Sequence, residues 1–288
     1  AKGVNYIDGE LPLNNQPTIL LHDCKFEKVA VNKKLVVSSS SSLSSKLSSI
    51  ICFPSSKKTS EHKNSSNVTF IGKNSFFECN NLQTVEIPID LNIQSIEDYS
   101  FALTSIEKIT IPTKVTLIGK RCFSRCKKLK NVEIDKESKL QIIKSEAFSH
   151  TSIETFSIPP QVSEIGNGCF SCCLNLHHIE YPKDTKIDKI EDKTFLCSSI
   201  ETIQIPSSIK SIGVRSFNFC QNLKKVMFEK DSKLTYIDNC SFSHSSIESF
   251  HIPSQVKYIG KNAFSSCLNL QSIEIPDDSE LQTIDRFA

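Results

Sequence analysis

The chain has 288 residues, 38% hydrophobic and 23% charged, which suits a folded protein with a core and excludes a disordered tail. Its formal charge of +2, from 34 basic and 32 acidic residues, creates no overall field that would favour nucleic acid or a membrane surface. No apolar run approaches the roughly 18 residues of a membrane-spanning helix, so we expect no membrane insertion within this chain.

The first 67 residues form a separate region that carries no repeat. Residues 18–37 predict two short strands, and residues 38–51 place leucines and isoleucines at helical spacing among serines. Residues 55–67 predict a polar linker, with glycosylation sequons at Asn64 and Asn67 that would matter only in a secreted chain. The prediction for 1–67 is an N-terminal cap or small degenerate domain followed by this linker.

From residue 68 to residue 288 the chain is built from repeats marked by one Phe each. The intervals alternate between 25 and 22 residues, which predicts about nine structural units. These signature phenylalanines are Phe76, Phe101, Phe123, Phe148, Phe170, Phe195, Phe217, Phe242 and Phe264. The long unit reads I-G-x-x-x-F-x-x-C-x-x-L-x-x-I-x-I-P, and the short unit lacks the Gly and the Cys.

Each unit predicts one short strand followed by a turn. Apolar residues two apart, as in Ile203 and Ile205, fit a strand with one face inward, and the Pro that usually follows ends it. No unit could bury its apolar side alone, so successive units are expected to stack, with strands pairing in parallel at about 4.8 Å per coil.

The segment IGKNAFSSCLNLQSIEIP, residues 259–276, resembles the signature of the BspA-type (treponemal) leucine-rich repeats. This resemblance covers residues 68–288. It implies an α/β repeat solenoid, a right-handed superhelix with a parallel β-sheet on its concave face. It also implies a surface antigen or adhesin that binds host matrix proteins or cells. No binding residue is transferred by the resemblance, because it rests on core positions alone.

Most of the 12 cysteines occupy positions that accept only small residues. Three residues after the signature Phe the chain carries Cys, Thr or Ser, and one residue before it carries Ser, Cys, Ala or Thr. These positions predict tight packing, and no metal site is expected. The recurrent Gly of the long unit predicts a turn with positive φ or a close approach of two backbones.

One cysteine pair differs from the others. Cys172 and Cys197 lie two residues after the signature Phe in adjacent units, at a position too variable for a core. They are expected about one coil spacing apart, and we predict a disulfide between them in an oxidising compartment and free thiols in the cytosol.

No motif of catalysis or cofactor binding is present. The sequence contains no G-x-S-x-G, phosphate-binding glycine loop or H-E-x-x-H, so we expect neither an enzyme nor a cofactor. A basic cluster lies in one repeat, without interleaved aromatic residues and with Glu133 and Asp135 nearby. It favours a solvated loop over a nucleic-acid site. Its members are Lys120, Arg121, Arg125, Lys127, Lys128 and Lys130.

The outward residues of the repeated strand predict a continuous polar binding face. A face of this kind, without a large apolar patch, suits a broad contact with protein or glycan; an alternative is that its hydroxyls only favour strand geometry. The candidate residues are Glu86, Lys108, Thr110, Asn131, Glu133, Thr155, His178, Glu180, Thr202, Gln204, Lys225, Met227, His251 and Glu274.

Two functions stay open at this point. One is a surface antigen or adhesin whose partners are host matrix or cell-surface proteins. The other is an intracellular scaffold, part of a cytoskeletal or ciliary assembly, whose partners are neighbouring subunits. The chain opens on Ala1, and the next signature Phe would fall just after Ala288, so we expect both ends to be truncated.

Overall fold

A computed structural model describes residues 28–30, 36–38, 69–87 and 91–288. This part of the chain is a parallel-strand β-solenoid of about nine turns and contains no helix. We refer to each turn as a coil and number the coils 1 to 9 by their signature phenylalanines, from Phe76 to Phe264. Two ladders of strands enclose the core, together with the turns around the signature phenylalanines, which we call the turn wall.

The first ladder contains the strands that the sequence predicted, one in each coil. Neighbouring strands that pair do so in parallel and in register. The strands are β4 (Thr84–Glu86), β6 (Lys108–Ile111), β8 (Asn131–Ile134), β10 (Thr155–Ser157), β12 (His178–Glu180), β14 (Thr202–Ile205), β16 (Lys225–Phe228), β18 (Ser249–His251) and β20 (Ser272–Glu274).

The second ladder consists of two-residue strands just before each signature Phe segment. Its strands also pair in parallel, in two sheets of five. They are β3 (Phe70–Ile71), β5 (Ser95–Ile96), β7 (Leu117–Ile118), β9 (Ile142–Ile143), β11 (Glu164–Ile165), β13 (Lys189–Ile190), β15 (Ser211–Ile212), β17 (Tyr236–Ile237), β19 (Tyr258–Ile259) and β21 (Thr283–Ile284).

Two further strands precede the repeats. β1 (Lys28–Ala30) and β2 (Val36–Ser38) form an antiparallel pair, and β2 pairs antiparallel with β4 at the edge of the first ladder. The sequence predicted two short strands over residues 18–37; two strands are present, and the second ends one residue later, at Ser38. The predicted helical stretch and the linker lie outside the described residues, and the division into a 1–67 region and a 68–288 solenoid stays a prediction.

The α component of the predicted α/β class does not occur in the described residues. Each signature Phe lies in a run of turns whose residues two before and two after it have positive φ, as at Tyr99 (57°) and Leu103 (61°). The amides of these two residues and of Phe101 bond to carbonyls of the next coil instead of bonding within a helix. A left-handed residue costs roughly 1–2 kcal/mol, and the hydrogen bonds between coils offset that cost.

The nine signature phenylalanines form one stack through the centre of the solenoid. All are buried, and adjacent rings lie nearly parallel with centroids 4.9 to 5.8 Å apart. Side chains of the two ladders surround them, including Phe156 and Phe250, which pack at an angle against the stack. One continuous core therefore joins all nine coils, as the repeat pattern predicted.

The small residues beside the signature Phe pack tightly, as predicted. Cys126 and Cys173, three residues after a Phe, are fully buried. Each thiol donates a hydrogen bond to a carbonyl of the preceding coil, Cys126 Sγ to Phe101 O (3.0 Å) and Cys173 Sγ to Phe148 O (3.1 Å). Burial raises the pKa of both thiols to about 11, so they stay protonated at neutral pH.

The recurrent Gly allows two backbones to approach closely. A Cβ added to Gly166 would lie 2.5 Å from the Ser145 amide nitrogen of the preceding coil. The same crowding occurs at Gly119, Gly213 and Gly260, and none of these glycines has positive φ. Of the two predicted explanations, close approach is therefore the one that these four positions confirm.

Candidate functional site

The strand face is the set of exposed side chains on the first ladder. Inward and outward side chains alternate along the strand, so that in β14 Thr202 and Gln204 are exposed while Ile203 and Ile205 are buried. Because paired strands are in register, equivalent residues of adjacent coils lie side by side, and the face carries two rows. One row starts each strand, as Thr202 does, and the other lies two residues later, as Gln204 does.

The best-connected part of the strand face is a cluster on β6 and β8. Glu133 accepts hydrogen bonds from Lys108 Nζ (3.0 Å) and Thr110 Oγ1 (2.7 Å), one to each carboxylate oxygen. The bond from Thr110, followed by the bond and the charge of Lys108, lowers the pKa of Glu133 below its ordinary value. Its carboxylate is thus charged and held in one orientation at neutral pH.

Two more acidic residues of the same row are held by the strand that precedes them. Ser157 Oγ donates to Glu180 Oε2 at 2.9 Å, and His251 Nδ1 lies 3.4 Å from Glu274 Oε2. In each case the acid belongs to a long unit and its partner to the preceding short unit. On β16 the position of the acid is taken by the half-buried Met227, opposite Gln204, which interrupts the acidic row.

All fourteen predicted residues lie on the first ladder, and most are exposed. Thr110 and Met227 are half-buried. The register brings Lys108 beside Asn131, Thr155 beside His178 and Thr202 beside Lys225. Their role in binding stays a prediction.

The first ladder is interrupted at three steps. Short-unit strands pair with the long-unit strand that follows, as β10 pairs with β12 and β14 with β16, but no pairing joins β8 to β10, β12 to β14 or β16 to β18. Amide-to-carbonyl bonds just before the strands still cross these steps, from Glu154 to Lys130, from Glu201 to His177 and from Glu248 to Lys224. The repeat strands of the first ladder therefore form one group of three, β4, β6 and β8, followed by three pairs.

Sequence reasoning missed the aromatic pair on the second ladder. Tyr236 and Tyr258 lie on adjacent strands with ring centroids 6.2 Å apart, and Tyr236 is 53% exposed. The signal was present, because both residues come immediately before the Ile that opens the repeat pattern. The repeat pattern predicts one strand in each unit, so the second ladder was not predicted.

The basic cluster of coil 3 is partly neutralised. Arg121 forms two hydrogen bonds of 2.8 Å with the Glu146 carboxylate, and Lys130 lies 3.7 Å from Glu154. Two of the six cations thus have acidic partners, which is typical of a solvated surface network.

Cys172 and Cys197 carry free thiols in the structure and are half-buried. Burial, and then the neighbouring Cys172 thiol, raise the pKa of Cys197. Cys169, which forms a C-x-x-C with Cys172, is fully buried instead. Over the described residues, no group of three or more His, Cys, Asp or Glu side chains is placed to hold a metal ion. No helix of the part described is long and apolar enough to span a membrane.

Comparison with solved structures finds similar proteins, one of them with a TM-score above 0.5. The pneumococcal vaccine antigen PcpA matches with a TM-score of 0.51 and 20% identity, over 74% of this chain and 61% of that one. A leucine-rich cell surface protein from Faecalibacterium prausnitzii matches at 0.43 and 22%, over 77% and 74% of the two chains. A leucine-rich repeat protein from Bacteroides ovatus matches at 0.40 and 20%, over 76% and 79%.

This chain thus spans less than two thirds of the PcpA chain with which it shares a fold. No curated protein matches its sequence. The sequence profile of the BspA type leucine-rich repeat region matches residues 49–177, 133–246 and 188–288, which together cover the repeats and part of the region before them. With its signature phenylalanines stacked in one core, the chain belongs to the BspA-type leucine-rich repeat family.

Proposed function

We propose that this protein is a non-enzymatic binding protein of the surface-antigen or adhesin kind, which contacts another protein or a glycan through its strand face. The observation that carries the proposal is the fixed, exposed, polar face built by the in-register strands. Family membership supports it, since the repeat builds a scaffold and leaves outward positions free to vary. The partners we expect are host matrix or cell-surface proteins.

The strand face is suited to binding because its charged groups are already held in place. Glu133 is oriented by two donors and Glu180 by one, so less side-chain freedom is lost when a partner binds. The face has many polar groups and few apolar ones, which favours a broad contact with complementary charge over an apolar docking site. A second, intracellular scaffold function would use the same face for neighbouring subunits.

The test compares two exposed ion pairs of similar geometry. Lys108–Glu133 lies on the strand face, and Asp188–Lys210 lies beside the second ladder; both have N···O distances of 3.0 Å. Binding of the 288-residue chain is measured against a panel of purified extracellular-matrix proteins and a glycan array. For a ligand that binds, the double variant Lys108→Ala/Glu133→Ala is expected to lose about tenfold or more in affinity. The variant Asp188→Ala/Lys210→Ala should bind as the wild type does.

An equal loss in both variants, or none in the strand-face variant, would place binding elsewhere on the molecule. Localisation of the whole protein separates the two candidate partner classes. A protein at the cell surface supports the antigen function, and one confined to the cell interior supports the scaffold.

A further inference from the structure

Cys172 and Cys197 occupy equivalent positions on the turn wall of coils 5 and 6. Each lies two residues after its signature Phe and has positive φ, 58° and 56°. The Cys172 amide bonds to Leu196 O at 2.7 Å, immediately before Cys197, so the two backbones are joined directly. Since the residues share conformation and register, their side chains leave the wall in the same direction.

Equivalent residues in other coils show how closely side chains at this position approach each other. Two coils later the equivalent residues are Phe219 and His244, also 25 residues apart, and their rings stack with centroids 4.4 Å apart and planes 4° apart. One position earlier, on an equivalent step, Ser124 Oγ and Ser149 Oγ are 2.8 Å apart. Where a long unit is followed by a short unit, side chains one or two residues after the signature Phe can thus contact each other directly.

The core cysteines show why this pair is different. In coils 3, 5, 7 and 9 the Cys after the Phe faces a Thr or Ser of the preceding coil, as Cys220 faces Ser198 at 3.4 Å. Its thiol also donates to a carbonyl, as Cys220 Sγ does to Phe195 O at 3.0 Å. These thiols have a hydroxyl as neighbour, and all but the half-buried Cys267 are buried. Cys172 and Cys197 are half-buried and have each other as neighbours across the two coils; within its own turn Cys172 Sγ also lies 3.7 Å from Ser171 Oγ.

We propose that Cys172 and Cys197 form a reversible disulfide that ties coil 5 to coil 6 on the outer turn wall. The bond joins two consecutive coils that share one core, and it lies away from the strand face. It is independent of the proposed binding function.

The oxidant belongs to the class of low-molecular-weight disulfides, RSSR. One cysteine loses its proton to solvent, and its thiolate attacks RSSR; the S–S bond of RSSR breaks, RS⁻ leaves and takes up a proton, and a mixed disulfide forms. The second cysteine then deprotonates and attacks the protein sulfur of that mixed disulfide, releasing the second RSH. The two protein thiols lose two electrons in total, and RSSR is reduced to two RSH.

The experiment equilibrates the reduced 288-residue chain in buffers of oxidised and reduced glutathione, blocks the remaining thiols by alkylation, and maps the peptides by mass spectrometry. We expect a linked peptide containing Cys172 and Cys197, in about tenfold or greater excess over the mixed disulfide with glutathione, because the second thiol attacks within the molecule. The variants Cys172→Ser and Cys197→Ser should instead retain the mixed disulfide.

Cys240→Ser is the matched control, since Cys240 is also half-buried and has Arg215 and Asn262 at the equivalent positions of the adjacent coils. It should leave the linked peptide unchanged. The thermal midpoint of the wild type should rise on oxidation, and that of Cys172→Ser should not. Separate glutathionylation of the two cysteines in the wild type, or a link from either of them to another cysteine, would overturn the proposal.

Discussion

At the position immediately before the signature Phe, the hydrogen bonding of one buried hydroxyl decides whether its removal raises or lowers the free energy of unfolding. It holds Ser, Cys, Thr or Ala, and it is buried in every coil. At Ser100 the hydroxyl donates to Glu97 O at 2.8 Å and lies 3.3 Å from Cys122 Sγ. Among the described residues, the buried hydroxyls of Ser216 and Ser241 have no hydrogen-bond partner. A buried polar group without a partner costs about 1–3 kcal/mol.

We therefore expect Ser241→Ala and Ser100→Ala to act in opposite directions. Ser241→Ala should raise the free energy of unfolding by about 1 kcal/mol, because it removes an unpaired hydroxyl where other coils already have Ala147 or Ala263. Ser100→Ala should lower it by about 1 kcal/mol, because it removes the hydroxyl that donates to Glu97 O and contacts Cys122 Sγ. Urea unfolding measures both changes, and an equal loss in the two variants would refute this account of the position.

At the scale of the element, paired strands hold charge in place across the strand face. The pKa of Glu133 is lowered from 4.5, first by Thr110 and then by Lys108. A carboxylate whose pKa is lower in the folded than in the unfolded state stabilises the fold above its unfolded pKa. That stabilisation is lost as the pH falls through the folded pKa.

The difference in stability between the wild type and Glu133→Gln should therefore be present at neutral pH. It should shrink as the pH falls below about 4.5, the ordinary pKa of this group. Carboxylate NMR of Thr110→Val, which lacks the donating hydroxyl, should show the Glu133 pKa moving back up towards its ordinary value. An unchanged pKa in that variant would mean that Thr110 does not orient the carboxylate.

At the scale of the whole molecule, each coil depends on its neighbours. Inner coils are covered on both sides, whereas in the last coil of this chain positions that are buried elsewhere face solvent. Ile273 of coil 9 is 41% exposed, while the equivalent Ile203 of coil 6 is 1% exposed. Stability in a stacked repeat is approximately the sum of nearest-neighbour terms, so it should decrease towards this end.

Native-state hydrogen exchange should reveal that gradient in the 288-residue chain. The Phe170 amide, bonded to Thr194 O at 2.9 Å, should exchange about 100-fold or more slowly than the Asn262 amide, bonded to Arg286 O at 3.3 Å. Both amides lie on the turn wall and bond to the next coil. Equal protection would mean that all nine coils open as one unit.

The amino-acid sequence by itself determined the repeat, its core and the outward positions of the candidate face. The signature Phe, the small residues beside it and the alternating isoleucines state local requirements of size and polarity that any stack of these units must meet. For that reason the burial of Phe195, Cys126 and Ser216 could be predicted, and so could the exposure of Thr202 and Gln204.

Only the tertiary structure decided how the chain returns between strands. Left-handed conformations at Tyr99, Leu103 and Phe219 are unfavourable for such residues locally, and they persist because their amides bond to the next coil. The same dependence on neighbouring coils underlies the absence of helix from the described coils, the second ladder and the interruptions of the first. These features depend on contacts between residues more than twenty positions apart, which the local pattern of one unit does not contain.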